Sequence, residues 1–523
     1  MTKKSSRTRP PSPPPVAPPE PMDQGRFLIA GCVLIAATAF IAFLPTLNNG
    51  FTNWDDDVYI TANPDIRHID ATSVAKLFSS VYSANYQPVT MLVYALEYGC
   101  FGLDPAGYHW FNLLVHIANC LLVLLLIFRL SGSSIAAFVT SLLFAVHPLH
   151  AESVAWLAEC KDVVATFFYL LSLLFYLRFT GKNARSAYFL SLVMLILSLL
   201  SKPTAVSLPL ILLLIDYYSA GKIGWPQVRA KLPFFVLAGI FCVVTIATQK
   251  HVDVVRSIPT VTILQKIGLP FYGLAFYLLK TAVPVHLCAL YSFPPVITAG
   301  MDVKFALSAV AVLVLAALLY RYRNKSATLW FGSLFFLVTL LPMLGIIQVG
   351  NAMVAERYTY IPLIGIFFIC GIALAKLAQK KNGANHSALP LIVVAFAVPV
   401  AVFMCLTFER CYVWHDSLTL WTDIIDKSPS AMAYYNRGTT FIRLKRLDRA
   451  VEDLTNAIAD CPALALAYSN RGAANYLMRH YEPAIADFNA ALALTPGDAE
   501  IRRNRDHAVK VFGEVMAASA KQR

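Results

Sequence analysis

The chain has 523 residues and a mass of 57.6 kDa, with 58% apolar residues, 14% charged residues and a mean hydropathy of +0.60. Soluble domains usually carry about a quarter of their residues charged, which sets this chain apart from an ordinary cytosolic enzyme. Its net charge of +13 falls almost wholly on residues 1–408, with 28 basic and 16 acidic side chains, and this split suits a membrane protein with basic cytoplasmic loops better than a nucleic-acid binder.

Residues 1–24 are basic and dense in proline and are expected to form a disordered cytoplasmic tail. Twelve apolar segments follow, at 27–47, 111–130, 134–147, 163–179, 187–201, 204–218, 233–249, 264–284, 303–320, 328–347, 358–377 and 388–408. A bilayer core about 30 Å thick asks for roughly 17–25 apolar residues per helix, so the segments predict an all-α polytopic bundle with about 11–13 hydrophobic segments. The basic tail places the N-terminus inside and the stretch 48–110 outside. Strict alternation then fails near Arg321, Arg323 and Lys325. It is restored if 264–284, which carries Pro270 and Pro284, does not cross. Eleven crossings put everything after Phe408 outside, together with 13 of the 16 acidic residues that precede position 409.

The C-terminal part, 409–523, is nearly neutral and repeats itself at an offset of 34 residues. Tyr434-Tyr435-Asn436-Arg437-Gly438 matches Tyr468-Ser469-Asn470-Arg471-Gly472, and Ala450, Asp453, Leu454, Ala457 and Pro462 match Ala484, Asp487, Phe488, Ala491 and Pro496. This is the tetratricopeptide signature, with clear repeats at 431–464 and 465–498, a degraded helix at Ser417–Ser428 and a capping helix over 498–516. Two clear repeats are few for independent stability, so packing against the membrane domain is expected. The ten cysteines are scattered singly, and several lie inside apolar runs, which fits core packing rather than a zinc site or a disulfide framework.

Three polar clusters could carry chemistry. The first outer loop holds Asp55, Asp56 and Asp57 beside Trp54 and Tyr59; three adjacent carboxylates repel one another and persist when solvated, paired or used. The competing reading is a solvated turn or a helix N-terminus. The second cluster runs from His147 through His150, Glu152 and Trp156 to Glu159, Lys161 and Asp162. Its spacing matches no hydrolase metal motif, and Pro148 opposes a continuous helix, so hydrogen bonding to a phosphate, a sugar or the acidic loop is favoured over metal ligation. The third is Glu356-Arg357-Tyr358, where an arginine fork could grip a phosphate or merely anchor an interfacial belt. Lys202 and Arg256 are weaker candidates of the same kind.

The order of these motifs is familiar. Gly50-Phe51, Asp56-Asp57-Val58, Asn63-Pro64-Asp65, Tyr86-Gln87-Pro88-Val89-Thr90, then His147-Pro148 with His150-Ala151-Glu152, all ahead of C-terminal repeats, resemble the transmembrane and tetratricopeptide repeat O-mannosyltransferases and their bacterial relatives. The resemblance implies a GT-C glycosyltransferase at 25–408, with an outward-facing site and a lipid-phosphate sugar donor. The loop departs from the eukaryotic pattern, which has a histidine and two aspartates, and the repeat array is short. On this reading Asp56 or Asp57, with Asp55 beside them, supplies the general base, and Arg357 with Lys202 or Arg256 holds the donor phosphate. His147, His150, Glu152, Glu356 and Tyr358 line the pocket. A divalent metal is compatible with the reading and not required by it. The implied partners are a polyprenyl-phosphate sugar, a protein or glycan acceptor, membrane lipids and a protein on the repeats, with no nucleic acid. The implied location is a bacterial inner membrane, with site and repeats in the periplasm. The rival from another class is a non-catalytic membrane anchor for a repeat scaffold that serves envelope assembly. A transporter fits less well, because the acids collect at span ends.

Overall fold

A computed structural model describes residues 24–250, 262–293, 299–345, 352–381 and 389–522. Residues 1–23 of the expected disordered tail and Arg256 lie outside the described residues, and Gln24 begins the helix Gln24–Phe43. Each of the twelve apolar segments forms a helix over most of its described length, with the non-helical residues at or near segment ends (His147, 283–284, 344–345 and 360–362). Among the described residues six helices are long and apolar enough to cross a bilayer: Gly25–Asn48, Pro105–Ser131, Leu157–Lys182, Pro203–Ala220, Asp302–Tyr322 and Val393–Tyr412. A seventh candidate is the pair Ser134–Val146 and Pro148–Ala155, bent by 56°, and four shorter apolar helices accompany them. The chain is therefore an integral membrane protein. The helix Ile263–Ala282, interrupted by Pro270, is not in this set.

Local chemistry sets the helix ends. Asp104 accepts from the Ala106 N–H and Pro105 follows it at the first helical position, so the helix Pro105–Ser131 starts there. Gly132 closes the same helix in the left-handed conformation, with φ of 67°. Prolines end two other helices where the site needs loops. His147 and Lys202, each followed by proline, are extended, and a helix cannot run through either.

Close contacts fix how the membrane helices cross. Gly332 and Gly365 meet backbone to backbone, so that a Cβ on Gly365 would lie 2.4 Å from the Gly332 carbonyl oxygen. A small two-stranded antiparallel ladder, Tyr291–Ser292 with Ala352–Val354, holds the chain just ahead of Glu356.

The C-terminal part consists of helix pairs. Ala431–Arg443 pairs with Leu447–Asp460, and Ala465–Leu477 pairs with Tyr481–Leu494. The 34-residue offset holds in three dimensions. Arg437 forks onto Asp453 at 2.7 and 2.8 Å, and Arg471 onto Asp487 at 3.0 and 2.7 Å. Lys445 and Arg479, 34 residues apart, both take positive φ at the inter-helix turn. A Cβ on Gly438 would press on Leu454, and one on Gly472 would press on Phe488. The helix Ser417–Lys427 precedes these pairs and Ala499–Gln522 follows them, ending six residues beyond the expected cap. The core of the membrane part continues without a break through Trp414, Trp421, Ile424 and Ala433, whereas the two repeats have small cores of their own.

Gly365→Leu should force the two backbones apart and lower the melting temperature in detergent by the equivalent of about 3 kcal/mol or more, since overpacking alone costs about 1–3 kcal/mol. Gly181→Ala, where an added Cβ meets nothing within 4 Å, should melt like the parent.

Candidate active site

The acidic triplet separates into three environments. Asp56 is buried, and its Oδ2 accepts from the Thr52 N–H at 2.7 Å and the Thr52 hydroxyl at 3.0 Å. Its Oδ1 accepts from the Ala158 N–H at 2.8 Å. Burial pushes its carboxyl up to about 7 against these three donors, which favour the ionised form. Asp56 thus ties the loop 48–110 to the turn Leu157–Glu159. Asp57 turns outward, accepts from its neighbour's N–H at Val58, and faces Arg443 of the first repeat at 3.8 Å.

Asp55 is partly exposed, and among the described residues nothing hydrogen-bonds to its carboxylate. Desolvation holds its carboxyl above the usual range, Lys161 and Arg357 pull it down, and Glu159 and Asp57 push it up. It therefore sits in the field of a charge cluster without being consumed by it.

That cluster centres on Glu159. Lys161 approaches one of its oxygens at 3.1 Å, Arg357 Nε the same oxygen at 3.2 Å, and Lys202 the other at 3.0 Å. Lys202 also reaches Asp162 at 2.5 Å, and Ser153 donates to Asp162 at 3.1 Å. Arg357 is further clamped by Glu152, which accepts from its guanidinium and, at 2.9 Å, from its backbone N–H. Each member stands at the end of an element. Lys202 caps Arg185–Ser201, Arg357 lies in the short helix Glu356–Thr359, and Asp162 is in the first turn of Cys160–Lys182. A cavity of about 30 Å³ opens on this cluster, lined by Asp162, Lys202 and Arg357 together with Thr166, Tyr358 and Tyr360.

Several of the expected site residues therefore meet: Asp55, Glu152, Lys202, Arg357 and Tyr358. Others face elsewhere. His147 bonds to the Thr281 carbonyl at 3.1 Å and packs on Phe367 and Phe403. His150 bonds to the Phe144 carbonyl at 2.8 Å and packs edge-on to Tyr360. Both rings are buried among aromatics and brace the bend after Val146; His150 touches the cavity only through Tyr360. Glu356 turns away from its neighbour Arg357. It accepts from the Tyr291 hydroxyl at 2.9 Å and meets Arg410 at 3.5 Å, and burial pushes its carboxyl up to about 7. Glu159, Lys161 and Asp162 stand out in the sequence only as charges near His150, yet they form the centre of the cluster. Among the described residues no three His, Cys, Asp or Glu side chains are grouped so as to hold a metal ion.

Four tryptophans back the loop. Trp54 stacks on Trp156 at 4.5 Å and approaches Trp421 at 5.2 Å, and Trp156 stacks on Trp414 at 5.1 Å. Trp156 also lies under the Arg357 guanidinium at 5.5 Å and near the Lys161 ammonium at 5.8 Å.

Comparison with known proteins agrees with the resemblance read from the motifs. Residues 87–249 match the family described as dolichyl-phosphate-mannose-protein mannosyltransferase. The chain is 25% identical over 447 residues to protein O-mannosyl-transferase F38B6.6 of Caenorhabditis elegans, covering 80% of this chain and 61% of that protein. It is 32% identical over 201 residues to protein O-mannosyl-transferase Tmtc1 of Drosophila melanogaster, covering 36% of this chain and 23% of that protein. The chain thus spans less than two thirds of the length of these relatives. Among solved structures, ArnT from Cupriavidus metallidurans bound to undecaprenyl phosphate aligns with a TM-score of 0.40 and 14% identity, over 79% of each chain. The Archaeoglobus fulgidus oligosaccharyltransferase tethered with an acceptor peptide aligns with a TM-score of 0.42 and 13% identity, over 78% of this chain and 58% of that one.

The two buried or half-buried aspartates should respond oppositely to amide substitution. Asp56→Asn turns an NH₂ toward a backbone N–H and should cost about 1–3 kcal/mol, seen as a lower melting temperature. Asp55→Asn breaks no hydrogen bond and should leave the melting temperature at or above that of the parent.

Proposed function

We propose that this chain is a membrane glycosyltransferase of the GT-C class, which moves a sugar from a polyprenyl-phosphate donor to a hydroxyl acceptor on the outer membrane face. The observation that carries the reading is the convergence of an unbonded carboxylate, Asp55, with Lys161, Lys202 and Arg357, drawn from three distant parts of the chain. Similarity to proteins named O-mannosyl-transferases supports a sugar of the mannose type and a protein acceptor. The loop 48–110 contacts residues 411–436, so both lie on one side of the membrane. This supports the arrangement in which the N-terminus is cytoplasmic, eleven helices cross, and site and repeats share the periplasmic side of a bacterial inner membrane.

The chemistry follows from the charges. The acceptor oxygen attacks C1 of the sugar, the bond from C1 to the phosphate oxygen breaks, and the electron pair leaves with the polyprenyl phosphate. Asp55 takes the acceptor's proton as a general base, a role already favoured by its desolvated carboxyl. Arg357 and Lys202 line one cavity and stabilise charge growing on the departing phosphate. Before donor arrives, Glu152, Glu159 and Asp162 hold these cations in place, so the phosphate competes with carboxylates for Arg357 and Lys202. The repeats engage the acceptor protein or a partner beside Asp57 and Arg443. No step needs a metal.

Sugar transfer from a polyprenyl-phosphate mannose donor, followed by mass spectrometry of the acceptor, tests this. Asp55→Asn should lose about 10²–10⁴-fold in kcat, the usual worth of a positioned base. Asp57→Asn should keep most activity, and full activity in Asp55→Asn would refute the base assignment. The base acts ionised, so activity should rise with pH along a limb lying above the ordinary carboxylate range. Lys161→Met removes a charge that lowers the Asp55 pKa and should move that limb to higher pH.

A further inference from the structure

We infer that the helix Ser417–Lys427, which lies ahead of the repeats, is a positioning element of the site, holding the base arm and the phosphate arm through two separate sets of contacts. The inference rests on the transfer reading above and goes beyond it, since the chemical step of that reading assigns no role to the helix Ser417–Lys427.

The base arm is held through Asn53 and Trp54, the residues just before Asp55. The Trp421 indole N–H donates to Asn53 Oδ1 at 2.7 Å, and the Asn53 backbone N–H donates to the Ser417 hydroxyl at 2.9 Å. The Trp421 ring lies 5.2 Å from Trp54, which in turn stacks on Trp156. The linker ahead of the helix adds two backbone ties, from Gly50 N–H to the His415 carbonyl at 2.8 Å and from the Asn49 side chain to the Cys411 carbonyl at 2.9 Å. The first outer loop is thereby fastened at Asn49, Gly50 and Asn53 before it presents Asp55.

The phosphate arm is held from another turn of the same helix. Asp423 pairs with Arg410 at 2.9 Å, Arg410 with Glu356 at 3.5 Å, and Glu356 is bonded in the chain to Arg357. Lys427 joins Asp423 at 2.5 Å and donates to the Leu287 carbonyl at 2.8 Å. Arg410 and Glu356 are buried, so loss of Asp423 leaves Arg410 one partner short and frees Glu356 to move with the backbone that carries Arg357. One eleven-residue helix thus sets the distance between a proton acceptor and a phosphate grip.

The test separates the two arms in the full-length protein in detergent. Undecaprenyl phosphate is the probe for the phosphate arm, and its binding is measured beside donor KM and kcat per folded molecule. Asp423→Ala should weaken undecaprenyl phosphate binding about 10-fold and raise donor KM in proportion, with Asp423→Glu restoring both. Trp421→Phe keeps an aromatic ring, though a smaller one, and deletes the bond to Asn53. It should lower kcat about 10- to 100-fold with undecaprenyl phosphate affinity unchanged. If both variants bind and turn over like the parent, or if both lose only folded protein, the inference fails. An inactive parent would overturn the transfer reading instead, and the affinity of Asp423→Ala for undecaprenyl phosphate would still decide the phosphate arm.

Discussion

Three cations on one carboxylate organise this molecule. Glu159 takes Lys161, Lys202 and Arg357 at 3.0 to 3.2 Å in a setting that admits little water. Moving any one of these charges out of water alone would cost several kcal/mol, and the loss is offset only when all stay together. The constraint is geometric as well as energetic. Lys202 is fixed by the proline after it and Arg357 by the ladder ahead of it, so Glu159 can be satisfied only if three distant segments arrive together. The cluster is in this sense a condition for packing the ends of the membrane helices that meet there.

The tryptophan cluster makes the C-terminal part inseparable from that condition. Trp156 follows the helix that carries Glu152, Trp54 precedes Asp55, and Trp414 and Trp421 belong to the approach to the repeats. Each stacked pair contributes about 0.5–1.5 kcal/mol beyond its buried area. The continuous core through Trp421, Ile424 and Ala433 means that the membrane part supplies the packing that two short repeats lack. The repeats proper then depart from this base with cores of their own, held by the Arg437–Asp453 and Arg471–Asp487 forks.

Much of this was legible in the sequence because the signals were one-dimensional. Apolar length marks the twelve segments, and the 34-residue offset marks the helix pairs. Lys202 and Arg357 stand at span ends, where a charge is expensive without a partner. What the sequence hides is which partner. His147 and His150 look like site residues from their place in the motif, yet His147 spends its ring nitrogens on the Thr281 carbonyl and the Leu149 N–H, and His150 gives one of its own to the Phe144 carbonyl. Glu159 and Asp162 read as members of the polar cluster around His150, and only the fold reveals that Lys202 comes to them from 43 and 40 residues away. The role of Glu356 was equally hidden, since Arg410 comes to it from the last turn of the final apolar helix, Leu389–Tyr412.

The division of labour among Asp55, Asp56 and Asp57 follows from backbone geometry alone. Asp56 is in the helical region, and a single wide helical turn begins at Asp57. Successive side chains on such a turn point in different directions, and neighbours one residue apart do not face the same site. One carboxylate must therefore point into the protein, one toward the charge cluster and one outward. Asp56 takes the inward place because the Thr52 and Ala158 N–H groups need an acceptor there. Asp57 takes the outward place, opposite Arg443. Asp55 is left facing the cations by exclusion, with no donor of its own among the described residues. A run of three like charges thus becomes a buried brace, an unbonded carboxylate beside the cations and a rim contact. The repulsion that makes such a run costly is relieved because the turn spreads the three groups apart and the cation cluster neutralises the one that stays in the cleft.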